Sequence, residues 1–134
     1  MTREDLQGWL DTYVLLWRTP GTDRLGEIFT EDASYSTGPF EEPFVGLDAI
    51  REMWDKERLT PGEEFELDSE IVAVDGDAGV IRLEVRYSSP RDQLYKDVWI
   101  VVLDNAGRCR RFEEWPFWPP GTDGGVGGWA TRNA

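Results

Sequence analysis

The 134-residue chain contains no histidine and only one cysteine, Cys109. The lack of histidine removes every imidazole general base and most transition-metal sites, because histidine is the commonest protein ligand of those metals. A single cysteine excludes an internal disulfide bond and fits a reducing compartment. Acid–base chemistry therefore has to come from aspartate, glutamate, tyrosine, lysine or the thiol, and we expect neither a metal nor an organic cofactor.

Basic residues and long apolar runs are also scarce. The chain has 27 acidic against 14 basic residues, a net charge of −13. Such a surface repels phosphate backbones and anionic lipids, so we expect no nucleic-acid partner and no membrane. The longest apolar run, from Val98 to Leu103, is too short to span a bilayer, and the charged first residues lack the apolar segment of a signal peptide. These features predict a cytoplasmic protein.

The apolar spacing is helical before Phe65 and alternates after it. The first part predicts a helix that Thr2 caps, a short helix after Thr22, a strand over 33–37 and a third helix around Ile50 and Trp54. The second part predicts four long strands joined by tight turns. Three helices followed by an antiparallel meander define an α+β domain, which we place at residues 1–118. Residues 119–134, rich in glycine, are predicted to form a tail.

Several short motifs occur in a specific order along the chain: Phe29-Thr-Glu-Asp-Ala33-Ser-Tyr35, Gly46-Leu-Asp-Ala-Ile50, Gly107-Arg108 and Phe112-Glu-Glu-Trp115. Together they resemble the nuclear-transport-factor-2-like superfamily, and the last resembles its SnoaL-like branch. The resemblance covers residues 3–118 and implies a cone-shaped antiparallel sheet wrapped by three N-terminal helices, with a pocket inside. This fold carries isomerases, hydrolases, dehydratases, polyketide cyclases and binding modules, so the fold does not determine the function.

Known catalytic templates of that superfamily match this chain poorly. Counting back from the shared motifs places Tyr13 where ketosteroid isomerase has its oxyanion-hole tyrosine, but Thr37 at its general base and Trp99 at its neutral aspartic acid. The Arg-x-Asp motif of the epoxide hydrolases is missing from the predicted strands, and scytalone dehydratase requires histidine. We therefore expect none of these three mechanisms in unaltered form.

Two carboxylic acids remain as candidates for the single acid–base carboxylate that the polyketide-cyclase resemblance implies. Asp97 shares a strand face with Trp99, and Glu114 shares one with Phe112, faces that the isomerase match turns inward. Aromatic surroundings would raise the pKa of either carboxyl group toward that of a useful base. The alternative is that Asp97 lies at a solvated rim and that Glu114 pairs with a cross-strand arginine, either Arg82 or Arg86.

The predicted site has three catalytic candidates, Tyr13, Asp97 and Glu114, and five ligand-binding aromatic residues: Tyr35, Trp54, Trp99, Phe112 and Trp118. One hypothesis is an enzyme of isomerase, cyclase or dehydratase type that transfers a proton on a small apolar, cyclic molecule. The other is a non-catalytic module that only binds such a molecule, and a third is an assembly module without a ligand. A buried carboxylate without an arginine partner favours the enzyme, and a paired one favours the binding module.

Two further expectations concern the outside of the molecule. Cys109 stands among arginines and opposite in strand parity to Phe112, which predicts an inert surface or interface thiol. The strand from Leu94 to Val102 is apolar on both faces, whereas helices cover only one. We therefore expect a homodimer formed through the sheet, or alternatively a tail that folds back with Trp129 as its anchor.

Overall fold

The structure, a computed structural model, describes residues 1–57, 64–89 and 92–120. Within these ranges the chain forms two α-helices, one turn of 3-10 helix and six β-strands. The elements in chain order are α1 (Arg3–Trp17), the 3-10 turn (Leu25–Glu27), β1 (Phe29–Ser36), β2 (Phe44–Val45), α2 (Leu47–Glu57), β3 (Glu64–Asp75), β4 (Ala78–Ser89), β5 (Gln93–Leu103) and β6 (Cys109–Phe117). The α+β prediction is confirmed. The predicted tail from residue 121 onward lies outside the described ranges.

The first helix begins as its sequence predicts. The Thr2 hydroxyl accepts a hydrogen bond from the Asp5 backbone N–H at 3.0 Å, and the Asp5 carboxylate accepts one from the Thr2 N–H at 2.8 Å. This reciprocal capping box satisfies two backbone donors that a helix start leaves unpaired. The buried face of α1 is apolar and aromatic, comprising Leu6, Trp9, Leu10, Tyr13 and Leu16. Neither helix of the described chain is long and apolar enough to cross a membrane.

The short helix expected after Thr22 is only a single 3-10 turn. Leu25 and Ile28 are buried, but the turn has no side-chain cap and contains Gly26, which disfavours helix. The Ile28 carbonyl accepts a hydrogen bond from the Cys109 N–H, and Phe29 already starts β1. Pairing with the sheet therefore ends the helical geometry after one turn.

The six strands form one sheet in the order β2-β1-β6-β5-β4-β3. Strands β3 to β6 are an antiparallel meander, as predicted, but β1 runs parallel to β6. The sheet is therefore mixed, which corrects the expectation of a purely antiparallel one. The long connection between β1 and β6 includes α2 and the other strands of the meander. A connection of this length allows the two strands to pair in the parallel direction. This pairing sets Tyr35 directly opposite Phe112.

Both helices pack on one face of this sheet, which we call the inner face. Strand alternation turns Tyr95, Asp97 and Trp99 of β5 toward the inner face, and all three are buried. Their neighbours Lys96 and Val98 point to the opposite, outer face. The core between α1, α2 and the sheet contains most of the aromatic side chains of the domain. A candidate site in this interior is therefore built mainly from aromatic rings.

Cys109 contradicts its prediction, because it is fully buried. The pairing shifts by one residue between Val102, opposite Arg111, and Leu103, opposite Cys109. This β-bulge leaves Arg110 as an extra residue and inverts the strand parity, so Cys109 faces inward like Phe112. Burial raises the pKa of the thiol to about 12, and its Sγ donates to the Arg111 carbonyl. The thiol is therefore part of the core and not of the surface or an interface.

The contact between α1 and β4 gives a first testable prediction. A methyl group added at Gly79 would overlap the side chain of Leu6, which is itself completely buried. We expect Gly79→Ala to lower the free energy of unfolding by about 1–3 kcal/mol, as overpacked cores do. Gly8→Ala on the open side of α1 is the matched control and should raise it by about 0.5–1 kcal/mol. Urea denaturation measures both, and equal stability of Gly79→Ala and wild type would contradict this packing.

Candidate active site

The two candidate carboxyl groups lie on neighbouring strands and face the same interior. Trp99 of β5 is directly opposite Glu114 of β6, and Asp97 is opposite Pro116. Asp97 and Glu114 are therefore diagonal neighbours on the inner face. Their exposed fractions are 1% and 2%. Asp97 does not lie at a solvated rim, so that alternative is wrong.

Neither carboxyl group has an arginine partner in the described parts of the chain. Arg82 lies on the outer face and pairs with Glu70 at 2.9 Å, while Arg86 lies on the same face opposite Glu66. The expected alternative of a cross-strand pair with Glu114 is thus wrong as well. One oxygen of each carboxyl group, Asp97 Oδ1 and Glu114 Oε1, is buried without a hydrogen bond. Such open acceptors are rare in protein interiors and mark places where another molecule or proton is expected.

Burial has the largest effect on the pKa of both carboxyl groups. It raises the pKa of Asp97 to about 7, against the lowering effect of the Trp99 indole and of the nearby backbone N–H groups of Trp115 and Val98. Burial also raises the pKa of Glu114 well above its usual range, and the negative charge of Asp97 raises it further. Two carboxyl groups this close cannot both ionise easily. At neutral pH we therefore expect the pair to hold at least one proton.

A pair of tyrosine hydroxyls lies in the same interior. The hydroxyl oxygens of Tyr13, from α1, and Tyr35, from β1, are 2.8 Å apart and buried. Burial raises the pKa of both phenols well above 10, and the charge of Glu114 adds to this effect. Both hydroxyls are thus protonated at neutral pH. Because one hydroxyl uses its proton within the pair, the other keeps a proton that it can donate to a ligand.

Aromatic rings surround Tyr13 on several sides. Its ring centroid is 4.6 Å from that of Trp99, 5.2 Å from Trp54 and 5.7 Å from Phe112. Tyr35 completes this group through its contact with Phe112 at 4.5 Å. The structure thus brings together the three predicted catalytic groups and four of the five predicted aromatic residues.

Trp118, the fifth, lies apart from this group. It is partly buried just beyond β6, with its ring 4.8 Å from Tyr95. A second aromatic group extends from there: Tyr95 stacks on Tyr87, whose hydroxyl accepts a hydrogen bond from Trp17 Nε1 at 3.1 Å. Tyr87 and Tyr95 were not among the predicted site residues, although strand alternation places both on the inner face. The described residues contain no cluster of three metal-ligating side chains.

The fold and this interior define an α+β domain of the nuclear-transport-factor-2-like class, in agreement with the resemblance seen in the sequence. The family model of the SnoaL-like domain matches residues 10–112. The chain belongs to the SnoaL-like domain family. No protein with a curated description matches the chain significantly.

Solved structures with the same fold include enzymes. One is described as a candidate isomerase of the SnoaL-like family from Agrobacterium tumefaciens, with 18% identity and a TM-score of 0.68 over 85% of this chain and 98% of that one. A steroid delta-isomerase from Pseudomonas aeruginosa has 19% identity and a TM-score of 0.62 over 87% and 81%. The epoxide hydrolase/cyclase-like enzyme SalBIII, of pyran ring formation in polyether salinomycin, has 18% identity and a TM-score of 0.66 over 87% and 95%. At these identities the likeness concerns the fold.

Proposed function

We propose that this protein is an enzyme that transfers a proton on a small apolar, cyclic molecule, with Asp97 and Glu114 as its acid–base groups. The observation that carries this proposal is the pair of buried carboxyl groups without a cationic partner in the described chain, each with an unbonded oxygen. A binding module for an apolar molecule gains nothing from such groups, because apolar side chains of similar size would fill the interior at lower cost. Strongly perturbed carboxyl groups next to neutral hydrogen-bond donors are typical of catalytic sites.

The arrangement suits removal of a proton from carbon next to a carbonyl group. An ionised carboxylate accepts the proton, and its pKa near neutrality suits a base that must return the proton afterwards. The free hydroxyl proton of the Tyr13–Tyr35 pair is available to the oxygen on which negative charge develops. When the proton returns to a different carbon, the product is an isomer and the carboxylate is restored. An isomerase and a cyclase-like enzyme among the structural neighbours support chemistry of this kind.

A deuterium-exchange experiment tests the proposal before the natural substrate is identified. The protein is incubated in D₂O with a panel of apolar cyclic ketones, and NMR follows deuterium uptake at the carbons next to the carbonyl. We expect at least one compound to take up deuterium faster with the protein than in buffer alone. The rate of uptake should reach a maximum as the concentration of that compound increases. Binding of a panel compound without any exchange would favour the non-catalytic binding module instead.

We also propose that the protein forms a homodimer through the outer face of the sheet. Val98 and Trp115 are paired neighbours there, Ile100 lies beside them, and Phe117 at the end of β6 is 57% exposed. An apolar sheet face of this kind is a common site of self-association. Light scattering at high micromolar concentration should give twice the chain mass of 15.4 kDa.

A variant pair localises this interface. Ile100→Glu should shift the mass toward the monomer, because it buries a charge in the apolar face. Leu15→Glu, on the exposed side of α1, is the control and should leave the mass unchanged. A wild-type mass of 15.4 kDa would refute the dimer and favour the tail anchored by Trp129 as the cover of this face.

A further inference from the structure

The two candidate carboxyl groups differ in one side-chain hydrogen bond, besides the backbone N–H groups of Trp115 and Val98 that lie near Asp97. The indole Nε1 of Trp99 donates to Asp97 Oδ2 at 3.0 Å, and both side chains are essentially fully buried. Trp99 and Asp97 stand two residues apart on the inner face of β5. Glu114 receives no comparable bond at Oε1 from the described residues. The two groups therefore have different hydrogen-bond partners, although they are close together and both are buried.

We propose that Trp99 is a positioning residue, whose indole N–H makes Asp97 the carboxyl group that ionises and leaves Oδ1 as its reactive oxygen. This inference rests on the proposed function and adds a division of roles to it. Asp97 acts as the base, and Glu114 is protonated in the resting protein and acts as the acid. After turnover the proton taken up by Asp97 replaces the one that Glu114 has released, which restores both groups. Trp99 itself acts only through Asp97.

Hydrogen-bond strength provides the first argument. A donor to a carboxylate stabilises the charged form by more than it stabilises the neutral acid. The Trp99 bond thus favours charge on Asp97, and no similar bond from the described chain favours charge on Glu114 Oε1. Since only one of the two groups ionises readily, the charge settles on Asp97. The bond also occupies Oδ2, so Oδ1 is the oxygen that can accept a proton from a ligand.

The rigidity of the indole provides the second argument. The Trp99 ring lies 4.6 Å from Tyr13 and 5.0 Å from Phe112, in tilted and edge-on contacts. Rings from α1 and β6 thus hold the indole on two sides. Because dense packing leaves little freedom to rotate, the N–H is aimed at Asp97 before any ligand arrives. A donor fixed in this way needs no reorganisation when Asp97 ionises.

The other titratable groups around Asp97 cannot take over this role. They come from the packed elements α1, β1, β5 and β6, and they are Tyr13, Tyr35, Tyr95 and Glu114. The charge of Asp97 raises the pKa of each of them, so each is expected to be neutral when Asp97 ionises. Among the described residues, no lysine or arginine takes part in the ionisation of Asp97. Of the side chains in that part of the molecule, the indole is thus the one that favours the charged form.

The test compares two tryptophan substitutions of equal size. NMR follows the titration of the Asp97 carboxyl carbon, assigned with Asp97→Asn, in wild type and in Trp99→Phe. We expect Trp99→Phe to make Asp97 roughly a tenfold weaker acid, which matches the loss of a hydrogen bond to a charged group. Trp9→Phe is the control, since it also removes a buried indole N–H, but one that donates to the Ile28 carbonyl at 2.9 Å. An unchanged Asp97 titration in Trp99→Phe, or an equal change in Trp9→Phe, would overturn the proposal.

The wild-type protein offers a second readout that needs no folded variant. The indole N–H resonance of Trp99 should shift with pH through the same midpoint as the Asp97 carboxyl group, whereas that of Trp9 should not. If the Trp99 N–H chemical shift does not change as Asp97 titrates, the assigned role is refuted. Both measurements are made without substrate, so their outcome is independent of the deuterium-exchange test. If exchange occurs, its dependence on an ionised base should move to higher pH in Trp99→Phe.

Discussion

Glu114→Gln is expected to reduce proton exchange on a responsive ketone by about 10²–10⁴-fold, the usual contribution of a positioned acid or base. The amide keeps the shape of the side chain and can still form hydrogen bonds, but it cannot deliver or accept the proton. Ligand affinity should therefore stay within a few-fold of wild type. Asp97→Asn should cause a loss of similar size, because it removes the proposed base.

Glu113→Gln provides the matched control for this experiment. Glu113 is the preceding residue on β6 and points to the outer face, opposite Ile100. The same change of charge and size there should leave both exchange and binding unaltered. Rates and dissociation constants come from NMR in D₂O and from ligand titration. Unchanged exchange in both Glu114→Gln and Asp97→Asn would exclude the acid–base mechanism.

Asp97→Asn should also stabilise the protein above neutral pH. The folded-state pKa of about 7 exceeds the ordinary value of 3.8. Below pH 4 the carboxyl group is protonated in both states, and wild type has its full stability. As the pH rises from 4 to 7 the unfolded chain ionises first, so folding loses free energy until ionisation in the folded state is complete. The gap between the two pKa values corresponds to about 4 kcal/mol.

Asparagine at this position does not cause this loss of stability. Its side-chain oxygen can still accept the hydrogen bond from Trp99, and the side chain never becomes charged. We expect Asp97→Asn to be a few kcal/mol more stable than wild type at pH 8 and to lose that advantage near pH 4. Asp77→Asn is the control: its exposed carboxylate pairs with Arg110, which lowers the pKa, so the substitution should not stabilise at any pH. Urea denaturation at pH 4, 6 and 8 measures the three proteins. A stability difference that does not change with pH would contradict a buried ionisable Asp97.

The parts of the fold that follow from local pattern could be predicted from the sequence. The capping box of α1 and its inward face require only residues a few positions apart. Strand alternation was enough to turn Asp97 and Trp99 to the same side. The apolar spacing predicted the order of the elements, which the structure supports, and the family motifs agreed with that order.

Features that depend on distant contacts could not be predicted in this way. The parallel pairing of β1 with β6, and the Tyr13–Tyr35 bond across 22 positions, arise only when the sheet is assembled. The reversal of Cys109 comes from one extra residue in β6, which no alternation rule locates in advance. The Trp99–Asp97 hydrogen bond joins residues two apart, but it depends on the ring orientation that Tyr13 and Phe112 impose.

Asp97, Trp99 and Glu114 all belong to the single hairpin formed by β5 and β6. The tyrosine donors come from α1 and β1, which lie much earlier in the chain. In the proposed mechanism, acid–base strength and oxyanion stabilisation are thus encoded in separate stretches of the gene. Mutations in one stretch can alter which proton moves, while mutations in the other alter which oxygen is held. This modularity gives a fold of this kind a simple route to new reactions on an old scaffold.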